Sequence, residues 1–159
     1  MSHDQPYIAV VGTGTPDAAF EALAEDVGRH VALAGGVLVC GGLEGVMAAA
    51  SRGAAEAGGL ALGILPGSDR RAANRWVQVA VATGVGELRN ALLVRAADVM
   101  IAIGGGFGTL SEIAFAVKTG VPVVGLRTWD LARAGAPDAI EVASDAPDAV
   151  RRALRHASR

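Results

Sequence analysis

Residues 101–112 read IAIGGGFGTLSE: an apolar run, then four glycines within five positions, then the carboxylate of Glu112. An apolar run that ends in glycines and continues into helix-forming residues is typical of a strand that turns tightly into a helix. Glycine lets the backbone of such a turn approach a ligand closely, and the N–H groups of the following helix then offer a site for phosphate. The stretch therefore predicts a strand from Asp98 to Ile103, a glycine turn, and a helix from Thr109 to Thr119.

The rest of the chain repeats this alternation of short apolar runs and longer Ala-rich segments. The strands are continuous apolar runs, as in parallel sheets that are buried on both faces. We therefore expect an α/β fold with a doubly wound, mostly parallel sheet and helices on both of its faces, whose strand-to-helix turns share one edge. The remaining strands are predicted at 7–11, 37–40, 60–65, 76–82, 121–126 and 140–143, and the remaining helices at 17–33, 44–57, 87–97 and from about 147.

Composition narrows the classes of function. The chain has 159 residues, of which 52% are apolar and 4% aromatic, and its formal net charge is −2. Without excess positive charge, a nucleic-acid partner is not expected. The single cysteine, Cys40, excludes an internal disulfide, and no spacing of Cys and His indicates a metal site. No apolar stretch reaches about 18 residues and the N-terminal residues are polar, so we expect neither a membrane span nor a signal peptide and predict a cytoplasmic protein.

Three predicted strands run into glycine turns, and two of these turns share the spacing G-G-x-x-G. One such turn is explained equally well by tight turning and by ligand binding, but three at one sheet edge favour a ligand that carries phosphate. The dinucleotide fingerprint is incomplete, because Asp17 occupies its third glycine position and no acidic residue ends the second strand. The predicted phosphate contacts are Gly12, Gly14, Gly41, Gly42, Gly45, Gly104, Gly105, Gly106, Gly108 and Thr109.

Arg89 and Glu112 are the two candidate catalytic residues. An arginine within the apolar helix at 87–97 needs a partner, which could be a ligand phosphate or a carboxylate such as Glu87 or Glu112. Thr109 and Glu112 fit a capping box, so a structural role at the helix N-terminus stays open beside a chemical one. Glu112 lies opposite the apolar stripe that we expect to face the sheet, which consists of Leu110, Ile113, Ala114 and Val117.

These motifs sit within longer stretches: CGGLEGVMAAASRGAAEAGGLALGILPG at 40–67, GELRNALLVRAADVMIAIGGGFGTLSEI at 86–113 and GVPVVGL at 120–126. On these residues the chain resembles the Lonely-guy (LOG) proteins, once called lysine-decarboxylase-like, and within that superfamily the molybdenum-cofactor carrier-like branch. The resemblance covers residues 7–126 and implies a Rossmann-like fold, so we expect one LOG-like Rossmann domain over residues 1–159. It also implies a homodimer or larger oligomer and no need for a metal or other cofactor.

The phosphoribohydrolase members of this family carry the pattern P-G-G-x-G-T-x-x-E, with an arginine on the preceding helix. They release the base from nucleoside 5′-monophosphates, leaving ribose 5-phosphate. The resemblance implies that Glu112 is the catalytic carboxylate and Arg89 the arginine that orients the substrate. The phosphate turn matches at Gly105, Gly106, Gly108 and Thr109.

Two positions depart from the hydrolase pattern. Gly104 replaces its proline, and Asn90 follows the arginine where the hydrolases usually carry lysine. Both departures resemble the carrier-like branch. Two functions therefore follow from the sequence: hydrolysis of the N-glycosidic bond of a nucleoside monophosphate, or non-catalytic binding of molybdenum cofactor or a signalling nucleotide.

Surplus apolar surface favours an oligomer. The helix from Glu87 is apolar on more than one face, and Phe115 lies opposite the stripe that we expect to face the sheet. Apolar residues on the outer side of a helix indicate contact with a partner subunit. The expected partners are thus a phosphorylated small molecule and further copies of this chain, dimer or higher, with no nucleic acid and no membrane.

Overall fold

Seven strands form the sheet at the centre of the computed structural model, which describes residues 4–135 and 137–158. The strands are β1 Tyr7–Gly12, β2 Val37–Cys40, β3 Leu60–Leu65, β4 Val79–Ala82, β5 Val99–Ile103, β6 Val123–Leu126 and β7 Glu141–Val142. They lie in the order β4-β3-β2-β1-β5-β6-β7, and every neighbouring pair is parallel. All residues of β2 and β5 are buried, which explains why their sequences are apolar without alternation.

Helices cover both faces of this sheet. They are α1 Ala18–Leu33, α2 Val46–Glu56, α3 Arg89–Arg95, α4 Phe107–Thr119 and α5 Ala146–Ala157. The first two and α5 pack together on one face, and their buried side chains join those of the strands in one apolar core. On the opposite face α3 and α4 pack side by side over a second core. The predicted single-domain, doubly wound α/β fold is therefore confirmed.

Several predicted boundaries were wrong by two residues or more, including those of the helix expected from 44, which begins at Val46, and the strand expected from 121, which begins at Val123. The strand expected from Trp76 begins at Val79, because the side chain of Asn74 accepts the N–H of Trp76 and turns the chain there. The helix expected at 87–97 is shorter, since residues 86–88 form a 3₁₀ turn and only Arg89–Arg95 is α-helical. The helix expected from Thr109 begins two residues earlier, at Phe107.

The order of the strands creates a crevice between β1 and β5. The chain builds β1 to β4 in one direction across the sheet and then returns to place β5 on the other side of β1. At such a switch point the adjacent turns diverge, and ligands of open α/β sheets bind there. Gly12 keeps the turn close-packed, because a Cβ on it would lie 2.5 Å from the carbonyl oxygen of Ile103 and against Val46. The fold therefore places the first and third glycine turns on either side of one crevice.

Candidate functional site

A cleft of about 410 Å³ opens at the carboxyl ends of β1, β2 and β3, at the switch point. This volume lies within the range of small-molecule sites. The cleft brings together eight of the twelve predicted site residues, which come from all three glycine turns and from α3 and α4. They are Gly12, Gly14, Gly41, Arg89, Gly106, Gly108, Thr109 and Glu112.

The other four predicted contacts, Gly42, Gly45, Gly104 and Gly105, lie outside the lining of this cleft. All four have positive φ and give the turns their shape, and their contact with phosphate stays a prediction. Gly104 has φ of +52°, and its N–H donates to the carbonyl of Leu126 over 3.1 Å. Proline has neither a positive φ nor an N–H, so the turn in this protein excludes the proline of the hydrolase pattern.

The N-terminus of α4 faces the cleft without a side-chain cap. Its capping position is Gly106, which has no side chain to offer, and the helix then begins at Phe107. The N–H groups of Phe107, Gly108 and Thr109 have no carbonyl to bind within the helix. Such an end attracts anions through its N–H groups and through the helix dipole. The predicted capping box was wrong, because Thr109 and Glu112 lie inside the helix rather than at its start.

Glu112 faces the protein interior, contrary to the prediction from the apolar stripe. The buried face of α4 consists of Thr109, Glu112, Ile113 and Ala116. Two members of the predicted stripe, Ala114 and Val117, are exposed. The stripe was inferred from hydrophobicity alone, whereas a charged partner on another helix allows this carboxylate to be buried.

That partner is Arg89, at the first position of α3. Its Nη1 lies 3.8 Å from Oε1 of Glu112, and the two residues are only 8% and 7% exposed. The distance is too long for a hydrogen bond, so the contact is an ion pair alone. Buried Nε of Arg89 has no hydrogen-bond partner within residues 4–135 and 137–158. Arg89 also lines the cleft, so its guanidinium can serve an anion there.

Gly41 makes room for Arg89. A Cβ at this position would overlap Nη1 of the guanidinium and would lie 2.8 Å from Nη2. The guanidinium therefore packs directly on the bare backbone at the end of β2. This contact gives the second glycine turn a role that the sequence did not suggest, namely to position the arginine, and its predicted contact with phosphate stays a prediction.

Burial controls the charge of Glu112. Loss of hydration raises the pKa of this carboxyl from its ordinary 4.5 to about 7, against the opposing effect of the Arg89 cation. Near neutral pH the group therefore exchanges between its acid and its carboxylate. A carboxyl with a pKa in this range can donate a hydrogen bond to an anion when protonated, and it can also act as a general acid or base.

The other helix ends near the cleft are less available to an anion. At α1 the carboxylate of Asp17 caps the helix and accepts the N–H groups of Ala19 and Phe20 over 3.0 and 3.1 Å. At α2 the first N–H, that of Val46, is bound by the carbonyl of Thr13 over 3.0 Å. The N-terminus of α4 is thus the best anion site of the three.

Sequence reasoning missed the apolar wall of the cleft. Leu43, Met47 and Pro66 line it and offer an apolar surface for a ring. They occur beside the glycine turns, but single apolar residues there carry no distinctive pattern. Glu87 and Asn90 also line the cleft, and Asn90 Nδ2 lies 3.4 Å from Ser111 Oγ, linking α3 to α4.

Two kinds of feature are absent from the described ranges, 4–135 and 137–158. Within them, the side chains of His, Cys, Asp and Glu form no group of three or more that could hold a metal ion. Within the same ranges, every helix falls short of the length and apolarity that crossing a bilayer requires. The longest of these helices, α1, has 16 residues.

Fold and cleft together define a Rossmann-like protein whose crevice combines glycine turns with a buried arginine and carboxylate. The chain belongs to the SLOG cluster4 family, whose model matches residues 5–152. This membership confirms the resemblance to LOG-like proteins.

Similar proteins indicate which branch of the LOG-like superfamily this chain resembles. An uncharacterised protein of Archaeoglobus fulgidus is 42% identical over 120 residues, which are 76% of this chain and 79% of that protein. The molybdenum cofactor binding protein from the phototrophic bacterium Rippkaea orientalis is 34% identical in sequence. Its structure matches this one with a TM-score of 0.87 over 97% of this chain and 98% of that one. The molybdenum cofactor carrier protein from Chlamydomonas reinhardtii is also 34% identical in sequence. Its structure matches with a TM-score of 0.84 over 95% of this chain and 96% of that one. These matches support the predicted carrier-like branch.

Proposed function

We propose that this protein is a non-catalytic carrier that binds a phosphorylated heterocycle in the cleft, and that its cargo is molybdenum cofactor, a pterin that ends in a phosphate. One observation carries the proposal: the uncapped N-terminus of α4 and the buried guanidinium of Arg89 line the same cleft at the switch point. The two similar structures described as binding or carrying this cofactor support it, since each aligns with at least 95% of the chain.

The phosphate of the ligand binds at the N-terminus of α4. The free N–H groups there donate to its oxygens, and Arg89 supplies a full positive charge beside them. A carboxylate at Glu112 would repel this anion. The raised pKa of Glu112 allows its side chain to be the neutral acid when the anion binds. The protonated group then donates a hydrogen bond instead of adding negative charge.

The heterocycle of the ligand packs against the apolar wall. Leu43, Met47 and Pro66 cover one side of the cleft, and Glu87 and Asn90 lie at positions where polar groups of the ring can be bound. Ligand sites generally combine such an apolar surface with a few polar groups that fix orientation. A phosphate anchor and a flat wall together suit a phosphorylated pterin or nucleotide.

The test is ligand retention by an arginine variant. Arg89→Met removes the guanidinium and keeps an unbranched side chain of similar length. The protein is incubated anaerobically with molybdopterin, separated by gel filtration, and the bound pterin is measured by fluorescence after oxidation. Because a charge-assisted hydrogen bond contributes about 1.5–3 kcal/mol, we expect the affinity to fall at least about tenfold.

Arg95→Met is the matched control, since Arg95 lies on the same helix, stacks over Phe115 and does not line the cleft. It should retain the pterin as the unaltered protein does. Equal retention by the Arg89 and Arg95 variants would contradict the proposed site.

Hydrolysis of a nucleoside monophosphate is the second candidate, and the pKa of Glu112 favours it. A carboxyl that titrates at about 7 can activate water, or stabilise the cation-like sugar formed as the base departs. Arg89, 3.8 Å away, would orient the substrate while α4 holds its 5′-phosphate. The catalytic roles of both residues belong to this proposal.

Free base is the readout for hydrolysis. A panel of nucleoside 5′-monophosphates is incubated with the protein and with Glu112→Gln, and released base is measured by chromatography. Base release that is lost in Glu112→Gln would support the enzyme. Binding of the nucleotides without release of base from any of them would contradict the hydrolase function and leave the carrier function.

We also infer that the protein forms a homodimer or larger oligomer through an apolar patch on the outer face of α3 and α4. The exposed apolar side chains of this layer, which we group as the patch, are Leu88 just before α3, Leu92, Phe107 and Val117, and Leu88 and Phe107 are 77% and 82% exposed. Equilibrium sedimentation at micromolar concentration should show an oligomer that Leu88→Glu dissociates. Leu33→Glu, at an exposed position on the opposite helical layer, is the control. The extent of the domain over residues 1–159, a cytoplasmic location and the lack of a nucleic-acid partner stay predictions.

A further inference from the structure

The cleft continues beyond the glycine turn. A second compartment of about 280 Å³ shares Thr13 and Gly106 with the cleft and extends past the N-terminus of α1 to Phe20. A third compartment of about 430 Å³ shares Phe20 and Gly105 with the second. These three compartments, linked by shared lining residues across the backbone of Gly105 and Gly106, are together called the groove. A mononucleotide-sized ligand would occupy only its first part.

Arg127 lines the far compartment with an exposed cation. Its φ of +50° is the one positive value among the described non-glycine residues, and such a conformation costs about 1 kcal/mol or more. The guanidinium carbon lies 5.3 Å from the centroid of the Phe20 ring. No carboxylate within residues 4–135 and 137–158 forms an ion pair with it. A stacked cation held in a strained conformation, without a protein counter-ion, is suited to a ligand.

The loop after β6 fixes this compartment to the glycine turn. The hydroxyl of Thr128 donates to the carbonyl of Gly104 over 2.6 Å, and Nε1 of Trp129 donates to the carbonyl of Gly106 over 3.2 Å. The Trp129 ring also contacts that of Phe107, with centroids 5.7 Å apart. The far compartment is thus held in register with the N-terminus of α4 before any ligand binds.

Charges along the groove select the kind of group that each part accepts. Asp17 lines the middle compartment, and one of its carboxylate oxygens, Oδ1, accepts two N–H groups of α1. Asp130 lines the far compartment beside Arg127. One cation and one carboxylate there suit a stacked ring with N–H or O–H donors better than a second phosphate. The strongest anion site of the groove therefore stays at the N-terminus of α4.

We propose that the groove binds a pyrophosphate-bridged dinucleotide. This inference rests on the proposed binding of a phosphorylated heterocycle in the cleft. One nucleotide half lies in the cleft, and the pyrophosphate crosses Gly105 and Gly106. The second heterocycle stacks on the Arg127 guanidinium near Trp129, and its donor groups bind Asp130. Arg127 is thereby a specificity-determining residue that separates dinucleotides from mononucleotides.

Titration calorimetry with three probes tests this assignment: guanosine 5′-monophosphate, guanosine 5′-diphosphate and diguanosine 5′,5′-pyrophosphate. Stacking of a second base contributes about 1–3 kcal/mol, so we expect the dinucleotide to bind at least about fivefold more tightly than the diphosphate. Arg127→Gly removes the guanidinium and accepts the positive φ, so the fold should persist. It should abolish this preference and leave the affinity for the monophosphate within about twofold. Arg133→Gly, in the same loop, is the matched control.

The outcomes separate this inference from the carrier proposal. A dinucleotide that binds no more tightly than the diphosphate, or a preference that survives in Arg127→Gly, overturns the inference while the cleft keeps its ligand. Failure of all three probes, with molybdopterin still bound, also overturns the inference alone. Failure of the three probes and of molybdopterin overturns both proposals.

Discussion

Replacing Glu112 by glutamine should change how the stability of the protein depends on pH. The pKa of Glu112 is raised by burial from 4.5 to about 7, so between these values the folded protein holds a proton that the unfolded chain releases. The stability that this group contributes is therefore fully present below about pH 4.5 and is lost as the pH rises to about 7. At about 1.4 kcal/mol for each pKa unit, the difference corresponds to about 3 kcal/mol.

The measurement is urea unfolding of the wild type and Glu112→Gln across the pH range from about 4.5 to 8. Glutamine does not titrate, so the free energy of unfolding of the variant relative to wild type should rise by about 3 kcal/mol over this range. Glu56→Gln, an exposed position on α2, is the control and should run parallel to wild type. Parallel curves for Glu112→Gln and wild type would refute the claim that burial governs this carboxyl.

Three substitutions test the contacts around the cleft. Gly41→Ala places a methyl group against the guanidinium of Arg89, so ligand binding should fall at least about tenfold in calorimetry, whereas a Tm loss without weaker binding would contradict the positioning role. Gly104→Pro loses an N–H donor and the positive φ of +52°, and chemical denaturation should show a destabilisation of about 3 kcal/mol or more. Trp129→Phe removes the hydrogen bond to Gly106, which should cost about 1 kcal/mol in the same measurement; unchanged stability would show that this bond does not hold the loop.

The sequence predicted the sheet well because parallel strands carry their signal in every residue. The five residues of β5 are all buried and apolar, and the glycines that follow leave little choice of connection. The start of β4 was missed because its valines and alanines continue an apolar run that begins in a turn. That turn is set by a hydrogen bond of Asn74 to the distant carbonyl of Leu43, which no local pattern encodes.

The site was predicted in its residues but not in its geometry. Hydrophobic periodicity placed Glu112 on the outer face of α4, since periodicity assumes that only apolar side chains turn inward. In the structure Glu112 is buried because it forms an ion pair with the guanidinium of Arg89. Arg89 lies on α3, the helix that comes before β5 and α4 in the chain. Arg127 and Trp129 were missed altogether, because a positive φ and a hydrogen bond to a turn leave no trace in composition or spacing.

Under the proposed function, the pair of Arg89 and Glu112 accounts for how a carboxyl group and an anionic ligand would share one cleft. An incoming phosphate disfavours the charged form of Glu112, and the neutral form donates a hydrogen bond to it, so binding and protonation reinforce each other. Affinity must then decline as the pH rises through about 7, unlike that of a site built from arginine and helix dipole alone. Glu112 is thereby useful to a carrier that performs no chemistry. A carboxyl group at Glu112, beside a turn at Gly104 that excludes the proline of the hydrolase pattern, is therefore compatible with the proposed carrier.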